Sequence, residues 1–142
     1  MDPYLYALIS TFVPEHFSVL TELAGGLLIK EIKDGKTYAN GVLHSFNDEP
    51  TETIYGIKQW YKHGVLHRDN DLPSIICPNG YQIWFQNGDC HRDNDLPAII
   101  SRHCEEWYQN GRCHRDNGPA IIRSSGSREY WRNGKRILCN IL

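Results

Sequence analysis

HRDNDLPAII, residues 91–100, decides how the rest of the chain is read. Nearly the same string precedes it as His67-Arg68-Asp69-Asn70-Asp71-Leu72-Pro73 and follows it as His114-Arg115-Asp116-Asn117-Gly118-Pro119. A string written three times is an internal repeat, and a repeat sets the architecture before any one residue can be given a role. The turn glycines mark the period. Gly41, Gly64, Gly88, Gly111 and Gly134 follow one another at steps of 23, 24, 23 and 23 residues. His44, His67, His91 and His114 stand three residues after the first four, and Pro50, Pro73, Pro97 and Pro119 come after each histidine. Aromatic pairs precede the turns: Trp60-Tyr61, Trp84-Phe85 and Trp107-Tyr108, then Tyr130-Trp131 in inverted order.

Each unit reads as a β-hairpin followed by a tight return. The short β-branched runs Ile75-Ile76, Ile99-Ile100 and Ile121-Ile122 suit strands. Asn87-Gly88 and Asn110-Gly111 accept the positive φ that a type I′ turn requires. The proline cannot donate to a ladder, so it belongs at a strand entry. The expected fold is all-β: an elongated, single-layer antiparallel sheet of ~23-residue hairpins over residues 27–142. Leu27 to Lys33 and Lys36 to Ala39 form a degenerate first hairpin about Asp34-Gly35.

Residues 1–26 stand outside the repeat. Tyr4 to Val13 is too short to span a bilayer and lacks the basic start of a signal peptide. Pro14 can open a helix from Glu15 to Leu23, which Gly25-Gly26 can end. Two short helices are therefore expected as a cap on the array. At the other end, the apolar tail Ile137 to Leu142 reads as a docked final strand or as a homodimer contact.

Charge and chemistry exclude several classes. The chain carries a formal net charge of −2, so nucleic acid is not an expected partner. Its ends differ, with net −5 over residues 1–57 and +4 over residues 123–142. Five cysteines, Cys77, Cys90, Cys104, Cys113 and Cys139, with no signal peptide suggest a reducing, intracellular and cytoplasmic setting. Cys90-His91 and Cys113-His114 look like metal ligands, but equivalent residues two strands apart lie ~10 Å from one another. Zinc ligands must converge to ~2.0–2.3 Å from the metal, so no metal site is expected. His-Arg-Asp copies the kinase catalytic-loop tripeptide without the Gly-rich loop or Asp-Phe-Gly that would make it work. Asp69-Asn70-Asp71 and Asp93-Asn94-Asp95 lack the glycine and glutamate of a calcium loop, so these acids and amides are expected to hold the return turn. Histidine and arginine are expected to pack on or pair with the acids of that loop. No catalytic residue, cofactor or small-molecule substrate is expected.

WYQNGRCHRDNGPAII, residues 107–122, resembles the MORN-type repeat, in its His-Arg-x-x-Gly-Pro-Ala variant found in proteins of large DNA viruses, phages and bacteria. The resemblance covers roughly residues 36–136. It implies successive antiparallel hairpins and a protein-interaction or membrane-associating module, often dimeric, in the host cytoplasm if the protein is viral. Basic residues of the kind a lipid surface would meet are sparse here. In large DNA viruses such repeats often follow an F-box, whose first helix Ala7 to Pro14 resembles. Two roles follow as expectations. One is a non-catalytic scaffold that binds a protein or itself. The other is an adaptor whose residues 1–26 recruit a ubiquitin-ligase component while the repeats hold a substrate. The columns Trp60, Tyr61, Trp84, Phe85, Trp107, Tyr108, Tyr130 and Trp131 are either a half-exposed binding surface or rings packed on the neighbouring isoleucines.

Overall fold

The computed structural model describes residues 17–23 and 26–137, with side chains from residue 30 onward. Every regular element among these residues is a β-strand. The chain runs as an antiparallel meander. Phe17–Leu23, Gly26–Lys33, Lys36–Ala39 and Val42–Leu43 form a four-stranded sheet. Nine strands from Glu52–Ile54 to Lys135–Ile137 form the main sheet, in chain order. Three small hairpins stand apart from it. They pair Tyr61–Lys62 with Val65–Leu66, Phe85–Gln86 with Asp89–Cys90, and Tyr108–Gln109 with Arg112–Cys113.

Tryptophan marks where each strand leaves the nine-stranded sheet. The Trp84 N–H donates to the Ala98 carbonyl of the next unit at 2.8 Å, while its own carbonyl accepts from the His91 N–H of its own return at 3.1 Å. Residues before Trp84 pair with both neighbouring units, as Gln82 does with Ile76 and Ile100. Residues after it pair as a hairpin, joined to the neighbouring units by single bonds such as Gly88 N–H to the Leu66 carbonyl at 2.9 Å and Gly111 N–H to the Cys90 carbonyl at 3.0 Å. Trp60 divides its strand in the same way between Ser74 and His67, as does Trp107 between Ala120 and His114.

The same register explains a row of small residues. Trp84 lies across from Ser74 on one side and Ala98 on the other, and Trp107 across from Ala98 and Ala120. Ser74, Ala98 and Ala120 are all 0% exposed. Thr51, across from Trp60, is likewise 1% exposed, so the row beside the indoles holds only small side chains. Trp107 and Ala120 join Cys113 and Ile121 in the core, with Tyr108, Ile122 and Trp131 packed against it.

Phe17–Leu23, expected inside a helix from Glu15 to Leu23, is instead a strand paired with Gly26–Lys33. The segment contains Phe17, Val19 and Thr21, residue types that favour strands. A ready ladder partner then outweighs helical propensity. The rest of the helical cap, the F-box-like stretch and the tail beyond residue 137 lie outside the described residues.

Turn chemistry follows the residues. Asn87 (φ 52°) and Gly88 (φ 89°) make a type I′ turn, and Asn110 with Gly111 repeats it. In the returns, Asn70 and Asp71 both have positive φ, as do Asn94-Asp95 and Asn47-Asp48. Asn and Asp enter this region at the lowest cost after glycine.

Candidate functional site

The recurring polar residues converge on the joints between units. At the central joint the Arg92 guanidinium lies 3.9 Å from the Trp84 ring centroid. Its Nε and Nη2 each donate to an Asp71 carboxylate oxygen at 2.8 Å, and Nη1 donates to the Pro97 carbonyl at 3.2 Å. Trp84 Nε1 donates to the Asp71 carbonyl at 2.9 Å. Aspartate thus grips both the arginine and the tryptophan of the following unit. Arg68 repeats the arrangement with Trp60 and Asp48, and Arg115 repeats it with Trp107 and Asp95. A planar, bidentate and stacked site of this kind suits arginine and not lysine. Arg68 and Arg115 hold the Asp48 and Asp95 carboxyls below the usual carboxylate range.

Histidine makes the second tie. His67 Nδ1 accepts the Asn87 N–H of the next unit's turn at 3.0 Å. His91 does so for Asn110 at 3.0 Å, His114 for Asn133 at 3.1 Å, and His44 for His63 at 3.2 Å. An imidazole nitrogen that accepts a backbone N–H carries no proton, so the proton of these rings sits on Nε2. In His67 and His91 that nitrogen faces Asp69 and Asp93 at 2.9 and 3.0 Å. The pairing expected of His-Arg with its own loop therefore splits. Histidine binds its own loop's first aspartate, and arginine binds the second aspartate of the preceding loop.

His44 makes a pH prediction. Burial, then His63 and Lys62, lower its proton affinity below the ordinary value of 6.5. The unfolded chain takes up this proton at a higher pH than the folded one. Stability from His44 is therefore complete above about pH 6.5 and lost as pH falls through the lower folded value. Urea midpoints should drop between pH 7.5 and 5.5, and the drop should shrink in His44→Gln. An equal drop in the variant would remove His44 from the account.

The aromatic columns, read as either a half-exposed surface or rings packed within the sheet, divide between buried and half-buried rings. Trp60, Trp84 and Trp107 are 4%, 6% and 6% exposed. The guanidinium on each ring is what covers it. Tyr61, Phe85, Tyr108, Tyr130 and Trp131 are half-buried. Three of them donate within the sheet, Tyr61 Oη to Gln59, Tyr108 Oη to Glu106 and Trp131 Nε1 to Glu129. A carboxylate at Glu129 is also held by Arg123 and Arg136.

Cys90, Cys104 and Cys113 lie on this inner side. Burial, with Glu106 adding negative charge, pushes the Cys90 thiol up to about 12 and the Cys113 thiol up to about 11. Such thiols are almost wholly protonated at neutral pH and poor nucleophiles. Among the described residues no group of three His, Cys, Asp or Glu side chains is placed to hold a metal ion. A cleft of about 540 Å³ is lined by Trp107, Gln109, Arg112, Arg115, Asp116 and Asn133. It is a joint again, and Arg115 in it is already committed to Asp95.

The aspartate grip was missed in the sequence, although a signal was present. Asp48, Asp71 and Asp95 each precede a unit that carries the arginine. The last return has Gly118 there, is one residue shorter, and precedes a unit with Leu138 in the arginine position. No family model, curated protein or solved structure matches the chain.

Proposed function

We propose that the chain is a non-catalytic, MORN-type hairpin scaffold that holds a protein partner or a second copy of itself. The observation that carries this reading is the commitment of the recurring polar residues. His, Arg, Asp and Trp are used to tie each unit to the next, and among the described residues this leaves no convergent acid, base and nucleophile for chemistry. The likeness of residues 107–122 to MORN-type repeats points the same way.

The test is site-specific photo-crosslinking in the cell of origin, with a photoreactive residue placed at Lys58, Asp93 or Arg132. Adducts between chains or with another protein at one of these exposed positions are expected. Uncrosslinked chain at all three would count against a scaffold. A second measurement bears on catalysis. Cys90 and Cys113 should resist alkylation at pH 8 in the folded chain and react on unfolding in urea. Rapid native labelling of either would reopen the question of a reactive thiol.

A further inference from the structure

The main sheet has two unlike faces. Cross-strand register puts Glu52, Gln59, Ile75, Ile83, Ile99, Glu106, Ile121 and Glu129 in one row. Gln59, Glu106 and Glu129 on this face receive hydrogen bonds from Tyr61, Tyr108 and Trp131, and Glu52 pairs with Lys36 at 2.6 Å. The opposite face carries Thr53, Lys58, Ile76, Gln82, Ile100, Glu105, Ile122 and Arg128, again in strand order. Here Lys58, Glu105 and Arg128 are exposed and the three isoleucines half-buried. Among the described residues none of Lys58, Gln82, Glu105 and Arg128 has a side-chain hydrogen bond or ion pair.

This second row is self-complementary about Gln82. One strand away stand Ile76 on one side and Ile100 on the other. Two strands away stand Lys58 and Glu105, and three strands away Thr53 and Ile122. A twofold axis parallel to the strands at Gln82 reverses strand order while turning the face over. It lays Gln82 on Gln82 of a second copy, Ile76 on Ile100, and Lys58 on Glu105, each of the last two pairs occurring twice. Both amides on the axis can exchange hydrogen bonds, because each carries a donor and an acceptor. An isologous contact needs this kind of self-matching patch.

We propose that this face is a homodimer interface, a second copy of the chain packing sheet to sheet about a twofold at Gln82. The inference rests on the scaffold reading and gives it a partner. Charge complementarity selects the occupant. A foreign partner would have to bring both charges, whereas a second copy meets Lys58 with Glu105 twice and Ile76 with Ile100 twice. Size agrees as well. Thr53 to Ile122 spans seven strands, roughly 29 Å at ~4.8 Å spacing. A standard interface of about 800 Å² per partner is roughly 28 Å across.

The experiment is the solution mass of the full chain by light scattering across a concentration series, with charge variants. The unaltered chain is expected to reach the dimer mass. Lys58→Glu and Glu105→Lys each place two like-charged contacts in the dimer, and each should weaken it by about tenfold or more. Circular dichroism should be unchanged, since both side chains are exposed and unpaired within the described chain. Gln82→Arg, with two like charges on the axis, should also be monomeric. The double variant should dimerise again, and an equimolar mixture of the two single variants should form heterodimers. A monomer at every concentration overturns the proposal. So does a dimer that ignores these substitutions, or one that neither the double variant nor the mixture restores. Those outcomes leave the scaffold reading standing, provided crosslinks to another protein or through another surface are found. Loss of both the dimer and all crosslinks ends both readings.

Discussion

Trp84→Ala is expected to lower the unfolding free energy by about 3–5 kcal/mol in a urea titration, the usual cost of removing a buried large aromatic. Three losses coincide at this residue. The indole lies in register between Ser74 and Ala98, both 0% exposed, so its removal is expected to open a cavity between two units. The Arg92 guanidinium loses the ring 3.9 Å beneath it. The Asp71 carbonyl loses the Nε1–H that it accepts at 2.9 Å. The bond to the carbonyl and the bulk can be separated. Trp84→Phe keeps most of the apolar contact and a ring face for Arg92, and should cost about 1–2 kcal/mol less than alanine. Arg92→Ala should fall below Trp84→Ala, because Asp71 is partly exposed and solvent can take over its carboxylate. A Trp84→Ala cost under about 1 kcal/mol would mean that the column does not hold the array together.

Much of this fold was legible because its landmarks are local. The turn glycines, the prolines and the paired isoleucines each fix a piece of backbone with no help from distant residues. Hence the strands at Ile75–Ile76, Ile99–Ile100 and Ile121–Arg123 fall where the isoleucines place them. What was not legible depends on contacts between units. Trp84 reads as a strand aromatic like any other. Its role as the point where a strand leaves the main sheet appears only once its N–H and carbonyl are seen to pair with different units. Its burial comes from Arg92, eight residues on, and from Asp71, thirteen residues back. Period-2 reasoning assigns faces, but it cannot say that a guanidinium will cover one. The error at Phe17–Leu23 has the same origin. Pro14 and Gly25-Gly26 are sound helix boundary signals, yet the segment had a neighbouring strand to join.

Ala98→Leu should be nearly as damaging as the loss of the indole, at about 3 kcal/mol, the upper end for overpacking a closed core. Ala98 is 0% exposed and lies between two tryptophans, with its carbonyl accepting from Trp84 N–H and its own N–H donating to the Glu106 carbonyl. Neither indole can tilt away, since Asp71 and Asp95 hold their Nε1 atoms and arginines lie on their faces. Strain must therefore pass into the backbone ladder of the main sheet. A control follows from the chain itself. Ser74 occupies the equivalent place one unit earlier, where its Oγ donates to the Ile83 carbonyl at 3.3 Å and accepts the Phe85 N–H at 2.9 Å. Ala98→Ser should meet the same backbone groups in the next unit and change stability by less than about 0.5 kcal/mol. Chemical denaturation of both variants separates size from polarity. If serine costs as much as leucine, the two positions are not equivalent, and neighbouring joints would have to be treated as separate structures. If serine is silent and leucine severe, the limit at this position is the volume left between two anchored indoles, and the same limit should hold at Ala120.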